Sequence, residues 1–185
     1  MFYMDIIELQ NIIERVAGLL RSETRSALVE HGLQPVQFEV LHYLSECNRY
    51  SDTPMAVTEY LGQTKGTVSQ TLKVLEKNVL LEKVADASDK RVTHLQLTVK
   101  ALNLLSLIRP SRLLSEALSE SPDADKIFDS HKRVLGLIQA KNKFQAFGQC
   151  QNCVHNRPQN GQFLCGLTEE ALSAQDVLKI CREYE

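Results

Sequence analysis

The spacing of apolar residues predicts that this chain begins with two helices. From about residue 5 to 30, apolar side chains recur every three or four positions and form one stripe along a helix: Ile6, Leu9, Ile13, Val16 and Leu20. Gly32 ends this first helix, because glycine readily adopts the backbone conformation that terminates helices. Pro35 suits the first turn of a second helix, which we predict over about residues 35–47.

Two further helices are predicted after a polar loop at 51–54. The first is short, at about 55–61, and the second runs over about 65–78. Thr64 is a suitable cap for the longer helix, since a threonine hydroxyl can accept a hydrogen bond from the first turn. Asn78 stands where a helix end often requires a left-handed residue, and we expect it to adopt that conformation.

A change of periodicity after the fourth helix predicts a β-hairpin. Residues 80–84 form a strand candidate, and residues 86–90 are polar and typical of a turn. Residues 93–97 then alternate between Thr or Leu and the polar side chains His94 and Gln96, which is the period of a strand. The hairpin tip is therefore predicted to be exposed and charged.

The helical pattern returns at Val99 and continues towards a cysteine-rich tail that begins at Gly148. Pro110 should end or kink the first helix of this region. Ser121, Pro122 and Asp123 combine a cap, a first-turn proline and an acidic residue, which predicts a last long helix to about Phe144. The predicted fold class is mainly α with a small β-hairpin.

Composition and charge set few limits on function. The 185 residues carry a net charge of -2, with 43% hydrophobic and 24% charged residues, which is ordinary for a soluble globular protein. No apolar run reaches the roughly 18 residues of a membrane helix, and the start lacks the features of a secretory signal. We expect a cytoplasmic protein without membrane contact. No catalytic motif rises above chance, so we predict that the chain is not an enzyme.

The outward face of the predicted fourth helix has side chains suited to DNA. It combines cations, hydroxyls and an amide, which can neutralise phosphates and reach base edges: Lys65, Thr67, Ser69, Gln70, Thr71 and Lys73. Residues 64–99 contain six basic and four acidic residues, so this segment is positive within a negative chain. On the pattern alone, an ordinary solvated helix face is an equally good interpretation.

Residues 64–80 and the hairpin tip carry a more specific signal. The first segment reads T-K-G-T-V-S-Q-T-L-K-V-L-E-K-N-V-L and resembles the recognition helix of the MarR family of winged-helix transcription regulators. Residues 86–92, D-A-S-D-K-R-V, followed by Leu97 and Thr98, resemble that family's wing and the start of its next helix. The resemblance extends over about residues 5–143.

The MarR resemblance implies a winged helix-turn-helix that binds double-stranded DNA as a homodimer with interlocked first and last helices. Two recognition helices, with Thr64 at the start of each, would enter successive major grooves of an operator. Asp89, Lys90 and Arg91 would form the wing tip, where Arg91 enters the minor groove and Asp89 orients it. The family also implies a pocket for a small-molecule effector between the dimer helices and the DNA-binding lobe. Pro110 departs from the unbroken dimer helix that the family leads us to expect.

The pattern and the resemblance together divide the chain into four segments. Residues 1–34 form an N-terminal dimerisation helix, and residues 35–98 form the winged-helix DNA-binding domain. Residues 99–145 form C-terminal dimerisation helices, and residues 146–185 form a small cysteine-rich tail that binds a metal or cluster.

The tail contains Cys150, Cys153, Cys165 and Cys181, with the spacing C-x2-C-x11-C-x15-C. In a reducing cytosol, clustered cysteines bind metal more often than they form disulfides. Only the first pair is close in sequence, whereas zinc sites usually use two close pairs, so the spacing favours an iron–sulfur cluster, [4Fe-4S] rather than [2Fe-2S]. The spacing resembles that of small [4Fe-4S] proteins. Structural Zn(II), with His155 as a substitute ligand, and free thiols or redox disulfides remain alternatives.

Several details of the tail are also predicted. Phe147, Phe163, Leu164 and Tyr184 would form an apolar shell around the cluster, and Ser173 would cap a final helix that ends near Cys181. The remaining cysteine, Cys47, is expected to be a buried residue without a chemical role.

The leading hypothesis is a DNA-binding regulator whose affinity for DNA depends on a cluster that responds to oxidants, nitric oxide, iron supply or electron flow. Ligation would dock the tail beside the last dimer helix and alter the distance between the recognition helices. The alternatives are a regulator with a structural zinc tail, and an electron-transfer protein on a winged-helix scaffold.

Overall fold

The computed structural model describes residues 5–87, 89–141, 147–159 and 162–185. The helices in these ranges are α1 (Ile6–Glu30), α2 (Pro35–Glu46), α3 (Pro54–Leu61), α4 (Lys65–Lys77), α5 (Val99–Ile108), α6 (Arg112–Ser119) and α7 (Ala124–Lys141). The strands are β1 (Leu81–Ala85), β2 (Thr93–Leu97), β3 (Gly148–Gln149), β4 (Asn156–Gln159), β5 (Gln162–Cys165), β6 (Ala171–Leu172) and β7 (Ile180–Cys181). Within the described ranges, no helix has both the length and the apolar character needed to cross a bilayer.

One apolar core joins α1–α5 and the first hairpin. Its most deeply buried side chains come from all of these elements: Leu28, Val40, Leu41, Tyr43, Ala56, Val57, Leu75, Leu81, Leu95 and Ala101. Antiparallel β1 and β2 pair from Leu81 opposite Leu97 to Ala85 opposite Thr93. This core fixes the positions of α3, α4 and the hairpin relative to one another, as a winged helix-turn-helix requires.

The end of α4 differs in one detail from the sequence-based expectation. Asn78 has a φ of -83°, and Val79 is the left-handed residue with a φ of 57°. This conformation is unfavourable for a β-branched side chain. It is held by the Leu80 N–H, which donates to the Leu75 carbonyl at 2.9 Å, and by the Thr98 hydroxyl, which donates to the Val79 carbonyl at 2.9 Å.

The helices α6 and α7 lie outside the core. The break between α5 and α6 falls at Pro110, as predicted, and none of the residues described in α6 or α7 is buried. Glu23 of α1 holds the start of α6 by accepting hydrogen bonds from the Ser111 hydroxyl and from the Leu113 N–H. The predicted extension of α7 to Phe144 lies outside the described residues.

The tail contains short strands and two 3-10 turns rather than a final helix. Strands β3 and β7 pair with each other, and β4, β5 and β6 form a second small antiparallel sheet. The Ser173 hydroxyl accepts from the Asp176 N–H at 3.1 Å, at the start of a 3-10 turn (Asp176–Leu178) whose N-cap is Gln175. The prediction that Cys181 ends a helix is wrong, because Cys181 belongs to β7 and its backbone pairs with Gly148.

Candidate nucleic-acid interface and cysteine site

The outward face of α4 presents polar side chains to solvent. Five of the residues predicted to contact DNA have exposed side chains: Lys65, Thr67, Ser69, Gln70 and Lys73. Thr64 is the N-cap, and its hydroxyl accepts from the Thr67 N–H at 3.1 Å. The inward side chains Val68, Leu72 and Leu75 anchor the helix, so the polar face is held in a fixed orientation.

Thr71 does not belong to this face. Its side chain is only 7% exposed, and its hydroxyl donates to the Thr67 carbonyl at 2.9 Å. The prediction that Thr71 points outward is therefore wrong. The position follows Gln70 and precedes the buried Leu72, and a short side chain that satisfies its own hydroxyl is tolerated at the edge of the core. The contacts of the other α4 residues with DNA remain predictions.

The wing tip holds Arg91 in a defined position. The Asp89 carboxylate accepts from Arg91 Nε at 2.9 Å and from its Nη2 at 2.7 Å, and it also accepts from the Arg91 backbone N–H at 3.0 Å. These hydrogen bonds lower the pKa of Asp89, so the carboxylate stays charged. The Arg91 side chain is 89% exposed, and its guanidinium is therefore oriented while still open to a ligand. Lys90 is also exposed, and Ser88 lies outside the described residues.

The base of the wing is tied to the loop between α2 and α3. His94 of β2 lies between two carboxylates, with Nδ1 2.6 Å from Asp52 and Nε2 3.0 Å from Asp86. The Leu95 N–H donates to the Asp52 carbonyl at 2.8 Å. The hydrogen bond from Asp52, then that from Asp86, raises the pKa of His94, which favours the imidazolium that can donate to both.

Strand pairing brings the first and last tail cysteines together. Gly148 lies opposite Cys181 in the β3–β7 ladder, and the Cys150 N–H donates to the Lys179 carbonyl at 3.2 Å. A Cβ at Gly148 would lie 2.6 Å from the Tyr184 ring, so only glycine allows this close approach.

A tight turn positions Cys153, and the second small sheet positions Cys165. A 3-10 turn leads from Cys150 to Cys153, whose N–H donates to the Cys150 carbonyl at 3.1 Å. The Asn156 N–H then donates to the Cys153 carbonyl at 3.1 Å, and Asn156 lies opposite Cys165 in the β4–β5 ladder. The four cysteines therefore come from three separate segments: the 3-10 turn with its C-cap carries Cys150 and Cys153, β5 carries Cys165, and β7 carries Cys181.

The thiols are near enough to affect one another's ionisation. Burial raises the pKa of Cys150 to about 11, with contributions from Cys181, Cys153 and Cys165. Burial also raises the pKa of Cys181, and Cys153 adds to this shift. Thiolates at these positions repel one another, and a bound cation would remove this penalty.

Hydrogen-bond donors surround two of the sulfur atoms. Burial raises the pKa of Cys165, but hydrogen bonds from the side chain and N–H of Thr168 and from the Leu167 N–H outweigh it and lower the pKa. The side chains of Asn48 and Ser51 and the Glu183 N–H act in the same direction on the pKa of Cys181, but burial outweighs them there. Donors of this kind stabilise thiolate ligands and tune the groups that they bind.

The spacing of the thiols does not match a single metal ion. Among the described residues, no three His, Cys, Asp or Glu side chains converge closely enough to hold one ion. His155, the alternative zinc ligand, has its Nε2 3.3 Å from a Glu185 carboxylate oxygen. The other three tail thiols contribute to the raised pKa of Cys150, which places the four cysteines in one part of the tail.

The tail packs against the winged helix and also contacts α7, the predicted last dimer helix. The Asn48 N–H donates to the Ile180 carbonyl at 2.9 Å, and the Arg182 N–H donates to the Ser51 hydroxyl at 2.8 Å. Arg182 also binds Glu59 of α3 with both ends of its guanidinium. The tail also contacts α7, because the Gln139 side chain of that helix donates to the Phe147 carbonyl at 3.1 Å. Docking of the tail beside the last dimer helix remains a prediction, and the contacts with the α2–α3 loop and α3 were not anticipated.

Further contacts join the tail to the α2–α3 loop. Arg49 donates to the Glu170 carboxylate at 2.9 Å and to the Ala171 carbonyl at 3.0 Å, and the Tyr50 hydroxyl donates to Glu170 at 2.8 Å. Sequence reasoning missed Asn48, Arg49, Ser51 and Asp52 because short polar residues in a loop carry no periodicity. The one signal was their position, directly after a predicted helix that carries Cys47.

The predicted apolar shell forms only in part. Phe163 packs with Cys150, Cys165, Leu172, Val177 and Tyr50, and the Tyr184 ring covers Gly148. Phe147 instead contacts Tyr43 and Tyr60 of the winged helix, with ring centroids 6.1 and 5.2 Å away. Cys47 is 4% exposed and burial raises its pKa to about 12, which confirms that it is a buried thiol of low reactivity.

Known proteins share both sequence and fold with this chain. Residues 31–92 match the model of the MarR family. The HTH-type transcriptional regulator MhqR of Bacillus subtilis is 28% identical over 100 residues, which span 54% of this chain and 67% of that protein. The HTH-type transcriptional regulator YsmB of the same organism is 24% identical over 92 residues, which span 50% of this chain and 62% of that protein.

Solved structures with similar folds include a MarR family protein from Bacillus stearothermophilus, with a TM-score of 0.61 and 21% identity over 74% of this chain and 99% of that one. MarR from E. coli in its apo form gives a TM-score of 0.55 and is 19% identical, over 72% of this chain and 98% of that one. MepR in the S. aureus MepR–DNA complex gives a TM-score of 0.50 and is 18% identical, over 72% of this chain and 99% of that one. At these identities, the likeness shows a common fold.

Proposed function

Because residues 31–92 match the MarR family, whose members are DNA-binding transcriptional regulators and not enzymes, we propose that this chain is a cytoplasmic regulator that binds an operator as a homodimer. We further propose that its four tail cysteines hold an iron–sulfur cluster whose state alters DNA affinity. The observation that carries the proposal is the convergence of the four thiols beside the loop that leads into the helix-turn-helix.

DNA binding is supported by the arrangement of cations and polar groups on α4 and the wing. The exposed face of α4 carries Lys65, Gln70 and Lys73, and the wing tip carries Arg91 in the orientation set by Asp89. An arginine that is already oriented loses less conformational freedom when it enters a groove. A narrow minor groove attracts such a cation because of its negative potential.

Dimerisation is supported by the apolar faces of α1 and α7. Large apolar side chains on both helices are at least 37% exposed: Ile6, Ile7, Ile12, Ile13, Val16, Leu19, Ile127, Phe128, Leu135, Leu137 and Ile138. An amphipathic helix as long as α7 is stable only when its apolar face is covered, and no described residue of α7 is buried within this chain. A second copy, with the same helices, provides that cover. Light scattering should give the mass of two chains.

We infer a cluster rather than a single ion from the way in which the four tail cysteines come from separate chain segments. A [4Fe-4S] cluster takes one cysteine at each of four separate iron atoms, so its sulfur ligands lie farther apart than those of zinc. The described tail has neighbouring thiols without a group tight enough for one ion. The donors to Cys165 and Cys181 would stabilise these residues as thiolate ligands.

Asn156 provides a second observation of fit. Its side-chain Oδ1 is buried without a hydrogen-bond partner among the described residues, and its neighbour across the strand pair is Cys165. Residues directly opposite in a ladder project to the same side of the sheet, so this amide lies beside that cysteine. If the amide oxygen and nitrogen exchange places, an N–H donor faces the site, and sulfur ligands accept such donors.

A cluster at this site would supply reversible redox chemistry and sensitivity to oxidants and nitric oxide. The chain's own residues would hold Cys181 and Cys150 together through β3 and β7, and would shield them by burial. Ligation would also order a tail that has a small apolar core of its own, built on Cys150, Leu172 and Val177.

Two substitutions test DNA binding. Lys65→Ala and Arg91→Ala should each weaken binding to a selected DNA duplex by roughly tenfold in fluorescence anisotropy, and Lys65→Ala should reduce the salt dependence by about one unit of slope. Arg112→Ala, whose side chain is 84% exposed on α6, is the matched control and should leave affinity unchanged. Specific binding that survives both substitutions would contradict the proposed DNA face.

Metal analysis of protein purified without air tests the tail. The proposal predicts about four iron and four sulfide per chain with a broad visible absorbance, both lost in Cys165→Ser. A colourless protein with stoichiometric zinc would support a structural zinc tail instead. Iron and sulfide without specific DNA binding would support an electron-transfer protein.

A further inference from the structure

The α2–α3 loop, residues 47–53, contacts both the cysteine site and the wing. It begins where α2 ends, and its buried polar residues are Asn48 and Ser51, which are 2% and 0% exposed. Buried polar side chains remain in a core only when their hydrogen bonds are satisfied, so the geometry of this loop is tightly constrained.

On the tail side, the loop holds the strand that carries Cys181. Asn48 donates its N–H to the Ile180 carbonyl at 2.9 Å, and the side chains of Asn48 and Ser51 lie near enough to the Cys181 thiol to lower its pKa against the effect of burial. The Ser51 hydroxyl also accepts the Arg182 N–H at 2.8 Å. Asn48 and Ser51 of the loop therefore hold the tail on both sides of Cys181, at Ile180 and at Arg182.

Within the loop, the same two side chains leave little freedom. The Ser51 hydroxyl donates to Asn48 Oδ1 at 2.8 Å, and the Tyr50 N–H donates to the same oxygen at 3.1 Å. The Tyr43 hydroxyl donates to the Ser51 carbonyl at 2.8 Å from the core. A displacement of β7 would therefore disturb the hydrogen bonds of Ser51, the residue that directly precedes Asp52.

On the wing side, Asp52 holds the base of the hairpin. Its carbonyl accepts the Leu95 N–H at 2.8 Å, and its carboxylate lies 2.6 Å from His94 Nδ1. His94 Nε2 reaches Asp86, whose carboxylate accepts the Asp89 N–H at 2.7 Å. Asp89 in turn orients Arg91.

We propose that this loop is a relay that transmits the ligation state of Cys181 through Asp52 and His94 to the DNA-reading wing. The proposal rests on the proposed function, since it assumes that the tail binds a cluster and the wing binds DNA. Ligation fixes Cys181, and with it Ile180 and Arg182, against the loop. Loss of ligation frees β7, so the loop and the wing gain a second arrangement with a different affinity for DNA.

In this account, Asn48, Ser51, Asp52 and His94 are positioning residues that touch neither DNA nor the metal. Coupling between sites usually changes affinity by about fivefold to 150-fold, which sets the scale of the expected effect. A relay through the α2–α3 loop acts within one subunit, whereas a change in the distance between recognition helices requires the dimer interface to move.

The test measures the ratio of DNA affinities with and without cluster, for wild type, His94→Gln and the control Gln96→Ala, whose exposed side chain lies on the same strand. The probe is a labelled duplex that the wild type selects from random sequences. We expect the wild-type ratio to differ from one by about fivefold or more. In His94→Gln the ratio of affinities should approach one while the iron content is unchanged. In Gln96→Ala the ratio should keep its wild-type value. A His94→Gln protein that retains the wild-type ratio would overturn the relay.

Hydrogen exchange of the wild-type protein provides a second measurement that no variant's misfolding can affect. Removal of the cluster should reduce protection of the amides of residues 93–97, because the Leu95 N–H is bonded to the Asp52 carbonyl. Unchanged protection there would also overturn the relay. A wild type without iron, or with equal DNA affinity in both states, would instead refute the proposed function on which the relay rests.

Discussion

The ion pair between Arg182 and Glu59 allows a direct measurement of how firmly the tail is attached to the winged helix. Arg182 Nε lies 2.6 Å from one Glu59 oxygen, and Nη2 lies 2.9 Å from the other, so the pair is bidentate. The side chains are 26% and 31% exposed, which places the pair between a surface and a buried salt bridge. We propose a double-mutant cycle with Arg182→Met and Glu59→Gln.

The expected coupling follows from this geometry. Two charge-assisted hydrogen bonds in a buried site would contribute up to about 3 kcal/mol, and an exposed pair less than about 1 kcal/mol. For partial exposure, we expect a coupling energy of about 1 kcal/mol. At about 1.4 kcal/mol for each factor of ten, this coupling corresponds to a fivefold change in the equilibrium between docked and undocked tail.

Native-state hydrogen exchange is the suitable assay because it reports local opening rather than global unfolding. The reporters are the backbone amides of Asn48 and Cys150, which donate to the carbonyls of Ile180 and Lys179, respectively. These amides are protected from exchange only while β7 is in place. Protein concentration is held constant, since the proposed dimerisation would contribute to stability.

The matched control is the pair between Arg112 and Glu116 on α6. It is 84% and 62% exposed, with a single contact of 3.4 Å, and should give a coupling of about 0.3 kcal/mol or less. If the tail pair shows no larger coupling than this control, the tail is not docked on α3 as described, and the reasoning is refuted.

Three further predictions concern α4, the wing and the tail. Gln70→Ala should weaken DNA binding several-fold in anisotropy titrations, whereas Thr71→Val should leave it unchanged because that side chain is buried; equal effects would contradict the assignment of the two faces. The raised pKa of His94 means that its stabilising charge is fully present below its ordinary value of 6.5 and is lost as pH rises through the raised value. Thermal stability should therefore fall over that range in the wild type but not in His94→Gln, and identical pH profiles would exclude this role. Gly148→Ala should lower iron retention, because its Cβ would lie 2.6 Å from the Tyr184 ring, and normal retention would show that the ring moves freely.

The sequence predicted the winged helix well because each element has a local signal. The stripe in α1, the cap at Thr64 and the alternation at 93–97 all depend on residues close together in the chain. The same local signals failed where tertiary contacts decide the outcome. Thr71 was expected to face outward, yet packing at the edge of the core turns it inward. The left-handed position at the end of α4 falls on Val79 rather than Asn78, because hydrogen bonds to neighbouring elements determine where the chain turns.

The tail was the least predictable region for a physical reason. The spacing of its cysteines is visible in the sequence. Their surroundings, however, are formed by residues about 130 positions away along the chain, as in the contact between Ser51 and Arg182. Such contacts leave no periodic pattern in either segment. The docking of the tail on the α2–α3 loop, and therefore its route to the wing, becomes visible only in three dimensions.

The central claim is that the four-cysteine tail controls the DNA affinity of a winged-helix regulator. Its most direct test is a titration of one selected DNA duplex with the same protein preparation, before and after its iron is removed by oxidation and chelation. We expect about four iron per chain at the start and an affinity that changes by at least about fivefold after removal. An iron-free protein, or an affinity that is the same in both states, would contradict it.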